Sequence, residues 1–201
     1  MIPEDLKFKD FLSSHKFGRK FLAIYKFSQT SNVIYSDDDI LLFRQPKDLI
    51  NLCNDASINF AYSPDTSGCQ CPFHEEMIKS AKVINTDPIW DFQAGLIYIK
   101  KLSLTRDIID LYLAPWTIEN DMYFSEQTLF ALVLSHIERG IKLSSQGYIQ
   151  NGAKGRFFWE NDMDYNDSSI ILRHFVGTVR HRYFEVAKTL IKTFSKNDTQ
   201  A

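Results

Sequence analysis

The apolar positions of this chain fall into short runs that alternate between a helical and a strand-like period. Over residues 11–27, Phe11, Ile24 and neighbouring apolar groups recur among Lys16, Arg19, Lys20 and Lys26, which predicts a helix with a basic face. A turn over 28–32 then leads into Val33-Ile34-Tyr35, a β-branched run that predicts a buried strand ending at Asp37-Asp38-Asp39. The apolar stretch 40–43 is broken by Pro46, and 47–53 predicts a short helix with that proline near its start. Residues 58–62 and 95–99 read as further strands, separated by a loop over 63–73 and an exposed helix over 75–82. A helix over 104–113 follows, then a mostly buried helix over 128–137 with Ser125 as its N-cap and Arg139-Gly140 as its C-cap. Short strands and loops are expected over 141–158, an amphipathic helix over 184–194, and a flexible tail over 195–201. Strands alternating with helices, without an internal repeat, predict an α/β fold with a mixed sheet flanked by helices, in one domain spanning 1–194.

Composition narrows the class. A 201-residue chain with 44% hydrophobic residues, including sixteen Phe, nine Tyr and three Trp, has enough apolar material for a continuous core. With 23 basic against 25 acidic residues the net charge is -2, so nothing draws the whole molecule to nucleic acid and any anion site must be local. No apolar run approaches the roughly 18 residues of a membrane span. Three cysteines, two of them one residue apart at Cys69 and Cys71, do not form a disulfide framework, which points to a reducing, cytoplasmic setting. Cys69, Cys71 and His74 invite a zinc reading, but structural zinc sites use four ligands and a wider Cys-x₂₋₄-Cys spacing. Trp90, Trp116 and Trp159 are candidate sugar-stacking rings, and Trp116, beside Pro115, is the one expected to be exposed.

The acidic triplet carries the clearest chemistry. A carboxylate pair presented just past a buried strand suits Mg²⁺ or Mn²⁺, which take oxygen ligands and leave positions for water and substrate phosphates. In an extended segment the i, i+2 spacing turns Asp37 and Asp39 to one side and Asp38 to the other, selecting the outer two as ligands. An acidic loop that is merely solvated gives the same pattern.

Four segments in order resemble metal-dependent GT-A glycosyltransferases. The stretch from Val33 through Asp37-Asp38-Asp39 to Phe43, with Pro46 and Leu49 after it, is similar to that family's strand, DxD and following apolar segment. Asp91-Phe92-Gln93-Ala94-Gly95 resembles its Phe-Asn-Ala/Ser-Gly segment, with Gln93 in place of the usual Asn. Ser125-Glu126-Gln127 is similar to its Glu/Asp-Gln at a helix start, and Arg173-His174-Phe175-Val176-Gly177, with Arg180 and His181, to its late His segment. The resemblance covers roughly residues 17–184. It implies His174 as a third metal ligand beside Asp37 and Asp39, and Arg19, Lys20, Asp38, Arg180 and His181 around the diphosphate or nucleotide of the donor. Asp91 and Glu126 are the implied catalytic carboxylates, binding acceptor hydroxyls, with one a general base if the enzyme inverts. Asp91 as a turn cap and Glu126 as a complement to a helix dipole are the structural alternatives.

The implied activity is transfer of a sugar from a nucleotide-diphosphate sugar to a saccharide or other hydroxyl acceptor. Only 36 residues precede Asp37, where the family places strand-helix units that bind the nucleotide, so the nucleotide-binding half is expected to be incomplete. Two other readings follow: a non-catalytic remnant serving as an oligomerisation or carbohydrate-binding module, and a phosphohydrolase with Asp37 as nucleophile and Asp39 as acid. An exposed sheet edge on a shortened domain would also favour a homo-oligomer.

Overall fold

The computed structural model describes residues 4–65, 73–149, 168–175 and 180–197. The basic segment predicted as one helix forms two, α1 (Glu4–Ser14) and α2 (Gly18–Ser28). They break where the two helices pack closest: a Cβ on Gly18 would lie 2.4 Å from the Phe11 carbonyl oxygen and 2.7 Å from Leu12 Cα. Phe8 and Phe11 of α1 and Phe21 and Ile24 of α2 are buried at helical spacing. Two strands follow, β1 (Val33–Ser36) and β2 (Ile40–Leu42), then α3 (Lys47–Asn54), β3 (Phe60–Pro64), α4 (Glu75–Val83) and β4 (Phe92–Ile99). The second half holds α5 (Arg106–Leu113), α6 (Ser125–His136), β5 (Gly140–Lys142), β6 (Tyr148–Ile149), β7 (Leu172–His174) and α7 (Arg180–Asn197).

The strands form two sheets. One has the order β1-β4-β3-β5, antiparallel except for the parallel β3–β5 pair, and the other has the order β2-β7-β6, with β6 and β7 parallel. The largest apolar cluster joins α1, α2, α4, α5 and α6 to one face of the first sheet through Phe21, Met77, Phe92, Ile97 and Phe130. A second lies on the opposite face, around Leu49, Leu96, Tyr98 and Tyr148. Helix α6 is buried from Ser125 to Leu134, as its nearly continuous apolar sequence demands. β1 is an edge strand among the described residues. The Asp37 amide bonds to the Gly95 carbonyl, so Tyr35 and Val33 share its hydrogen-bonded phase, and the backbone groups of Ile34 and Ser36 point outward from the sheet.

Two predicted caps take other roles. Ser125 is the first residue of α6, not its N-cap; its hydroxyl accepts the Met122 amide at 2.9 Å and fixes the turn before the helix. Gly140 begins β5, not a helix C-cap. It pairs with Phe60, and a Cβ there would sit 2.0 Å from the Phe60 ring, so the glycine answers to that aromatic. The left-handed conformation before it falls on Arg139, at φ 65°.

The tryptophans also reverse the expectation. Trp116 is 1% exposed and donates to Asp121 at 2.7 Å, whereas Trp90 is 46% exposed; Trp159 lies outside the described residues. A ring beside a proline is buried here because Phe11 packs edge-on against it and Asp121 satisfies its indole N–H. Asp121 also meets His15 Nδ1 at 2.9 Å, tying the α1–α2 junction to the segment that leads into α6. Cys69 and Cys71 lie outside the described residues, and His74 is engaged elsewhere, capping α4 and meeting Asn120. No helix among the described residues is long and apolar enough to cross a membrane.

The Gly18 contact yields a stability prediction. Gly18→Ala forces the backbones of α1 and α2 apart and is expected to cost about 1–3 kcal/mol, the range for overpacking a tight contact. Chemical denaturation should show a lower midpoint with an unchanged slope; an unaltered midpoint would remove the helix junction as the cause of the break.

Candidate functional site

The site forms where the chain crosses from the first sheet to the second. Asp37 leaves β1 with its amide held by Gly95 of β4 at 2.8 Å. Ile40 enters β2 opposite His174, and the Asp39 carbonyl accepts the Phe175 amide at 2.8 Å. Asp38 and Asp39 therefore occupy a turn between two pinned strands, not the extended segment expected. The turn still separates the side chains by face. Asp37 and Asp39 converge on His174, while the Asp38 carboxylate is 87% exposed.

Ligand atoms from Asp37, Asp39 and His174 all lie within 4.8 Å of one another. His174 Nε2 is 2.8 Å from Asp39 Oδ1 and 3.5 Å from Asp37 Oδ2. Burial alone would raise the Asp39 carboxyl, but the hydrogen bond and charge of His174, with Arg180 adding, hold it below the ordinary carboxylate value. Two carboxylates and an imidazole, oxygen and nitrogen donors in one small volume, fit a divalent ion such as Mn²⁺ or Mg²⁺.

A second set of groups adjoins Asp37 on its other oxygen. Tyr35 donates its hydroxyl to Asp37 Oδ1 at 2.5 Å, and the Lys20 ammonium lies 3.3 Å from the same oxygen. Burial, then the Asp37 contact, pushes the Tyr35 phenol well up, so it stays a donor. Lys20 also donates to the Ala94 carbonyl at 3.0 Å and approaches Glu126 Oε1 at 3.4 Å. Glu126 is 3% exposed, and no well-formed hydrogen bond reaches its Oε1. Its carboxyl is pushed up to about 7 by burial, against the lowering effect of Lys20, with Asp37 pushing the same way as burial. Beside it on α6, Gln127 is buried with an unpartnered Nε2. Sequence reading gave Gln127 no role, although an amide placed without a partner among apolar neighbours is a signal only the packing reveals.

The remaining predicted residues are distributed differently. Arg180, 61% exposed on α7, reaches Asp38 at 3.3 Å and Asp39 at 3.8 Å, so it stands at the mouth of the acidic cluster. Arg19 and His181 are exposed on α2 and α7, and of the pair Arg19–Lys20 it is Lys20 that turns to the carboxylates. Asp91 belongs to a separate group: it accepts from Tyr62 at 3.1 Å and pairs with Lys142 of β5. The structure thus brings together Asp37, Asp39, His174, Lys20 and Glu126, with Asp38 and Arg180 at the rim, and holds Asp91 apart from them.

The pH dependence follows from Glu126. Its folded-state value of about 7 lies above the ordinary 4.5, so the folded protein holds the proton more tightly than the unfolded chain. Stability from this group is therefore full below pH about 4.5 and is lost as pH rises through about 7. The loss is bounded at about 3 kcal/mol, taking roughly 1.4 kcal/mol per pH unit. Glu126→Gln should flatten the fall in unfolding temperature between pH 5 and 8, and an equally steep fall in the variant would assign the slope to another group.

No protein-family model matches the chain, and no curated protein does. Solved structures do. An active-site mutant of LgtC matches 91% of this chain and 72% of its own, at 12% identity and a TM-score of 0.53. Mouse xyloside xylosyltransferase 1, in its apo form, matches 88% of this chain and 70% of its own, at 12% identity and a TM-score of 0.51. The bifunctional glycosyltransferase WbbM is matched over 83% of this chain at 15% identity and a TM-score of 0.49, and the chain spans only 33% of its length. The mixed α/β architecture described above is thus a GT-A-like fold.

Proposed function

We propose that this chain is a metal-dependent glycosyltransferase domain, in which Asp37, Asp39 and His174 hold a divalent ion against the diphosphate of a nucleotide-sugar donor. The observation that carries this reading is the convergence of those three side chains within 4.8 Å at the seam of the two sheets. The similarity in fold to LgtC and to xyloside xylosyltransferase 1 supports the choice of donor class. A bound ion supplies charge neutralisation for the departing diphosphate.

The chain's own residues fall into roles around that position. Arg180 makes only loose contacts of 3.3 and 3.8 Å and is largely exposed, so its guanidinium is free to trade a carboxylate for a phosphate oxygen at the rim. Glu126, buried on α6 with its Oε1 3.4 Å from the Lys20 ammonium, backs the cluster and orients that lysine. Asp91, with Tyr62 and Lys142 around it, is assigned to the acceptor side, apart from the metal ligands.

The deciding experiment is calorimetric titration of UDP and GDP with and without Mn²⁺. Binding that requires Mn²⁺ and falls by at least about tenfold in an Asp37→Ala, Asp39→Ala double variant is expected, since each ligand lost removes direct charge at the ion. A protein that binds neither nucleotide under any metal condition would overturn the donor site and favour a non-catalytic module. The edge of β1, unpaired among the described residues, generates a second test. Backbone groups at Ile34 and Ser36, which meet no partner strand among the described residues, favour pairing with a second copy, seen as a concentration-dependent dimer in sedimentation. A clean monomer across the concentration range would reject it.

A further inference from the structure

We propose that Lys20 is a built-in counter-ion that sets the metal affinity of the Asp37–Asp39–His174 cluster, neutralising its carboxylates when no divalent ion is bound and opposing the ion that binds. This role rests on the metal reading above and differs from the one the sequence suggested, a contact to the donor diphosphate. Three oxygens surround the Lys20 ammonium, which donates to Ala94 O at 3.0 Å and forms ion pairs with Asp37 Oδ1 at 3.3 Å and Glu126 Oε1 at 3.4 Å. Its side chain is 13% exposed, and the Tyr35 ring closes a further side with its centroid 4.8 Å from Nζ. Among the described residues this cation is engaged with protein oxygens and a ring.

The position of Lys20 relative to the ligands gives the inference its sign. Asp37 is shared: Oδ1 faces Lys20 and Tyr35, while Oδ2 faces His174, whose Nε2 also meets Asp39. The lysine charge thus sits one carboxylate away from the place where the ligand atoms converge. Removing it has two electrostatic consequences, and both favour a divalent ion. The repulsion between ammonium and metal disappears, and Asp37 and Glu126 lose the cation that compensated them. A residue that merely organised the site would act in the opposite direction, because its loss would disorder Asp37 and weaken binding.

The test is titration of Mn²⁺ alone, read by calorimetry and by the paramagnetic signal of the free ion, into wild type, Lys20→Met, Lys20→Arg and the Asp37→Ala, Asp39→Ala double variant. Lys20→Met should bind Mn²⁺ roughly tenfold more tightly, in line with loss of one nearby charge in a partly screened site. Lys20→Arg, which keeps the charge, should stay near wild type. Because Lys20→Met leaves Glu126 without its cation and costs stability, the same comparison is made between Glu126→Gln and Lys20→Met/Glu126→Gln, where the tightening should persist. Unchanged or weaker binding on loss of Lys20, with the wild-type site still sensitive to Asp37 and Asp39, would overturn the counter-ion role and leave the metal site standing. Mn²⁺ binding indifferent to Asp37 and Asp39 would overturn both.

Discussion

Like charge packed at the seam of the two sheets is the constraint on which the rest of this structure depends. Asp37 and Asp39 turn to the same side, and Glu126 lies beyond Lys20 with 3% of its surface exposed. Carboxylates so placed repel one another, more strongly where water is excluded, and a folded chain keeps them together only with cations arranged between them. Lys20 and Arg180 answer that demand from α2 and α7, and His174 of β7 adds an imidazole contact to both aspartates, so three elements far apart in sequence meet here. The long-range architecture around the seam is in this sense the means by which the positive groups are delivered.

Delivery is a matter of backbone register. The β1–β4 ladder continues through the Asp37 amide to Gly95, and the β2–β7 ladder continues through the Asp39 carbonyl to Phe175. The backbone of each acidic residue is thereby pinned at a strand end. Ala94, next to Gly95 on β4, supplies the carbonyl that fixes Lys20, so one strand sets both the anion and its counter-ion. The Lys20 cation reaches the buried glutamate in the first turn of helix α6, and the next eight residues of the helix are buried in the core without any charge.

Much of this order is legible in the sequence, because strand runs, the acidic triplet and the helix periods are local signals. The separation of Asp38 from Asp37 and Asp39 was readable too, although the extended geometry behind the expectation is replaced by a turn. What escaped the sequence depends on contacts between distant segments. The break at Gly18 comes from the approach of α2 to the backbone of α1, and Gly140 is required by the Phe60 ring eighty residues earlier. Trp116 is buried because Phe11 and Asp121 receive it, which no neighbour of Trp116 in the chain announces. The choice between Arg19 and Lys20 is of the same kind: both lie on a basic helix, and only packing against β4 decides which one turns inward.

The seam also explains how the acidic cluster can be independent of what lies beside β1. Every backbone bond that pins Asp37 and Asp39 comes from β4 or from the end of β7, on the inner sides of their strands. The outer edge of β1, where Ile34 and Ser36 direct their peptide groups, contributes nothing to that geometry. A ligand set held only from the inside does not need a neighbour on the outside to be correctly shaped. The shape of the acidic cluster is consequently separable from whatever adjoins β1, because it is built into the inner sides of the two sheets.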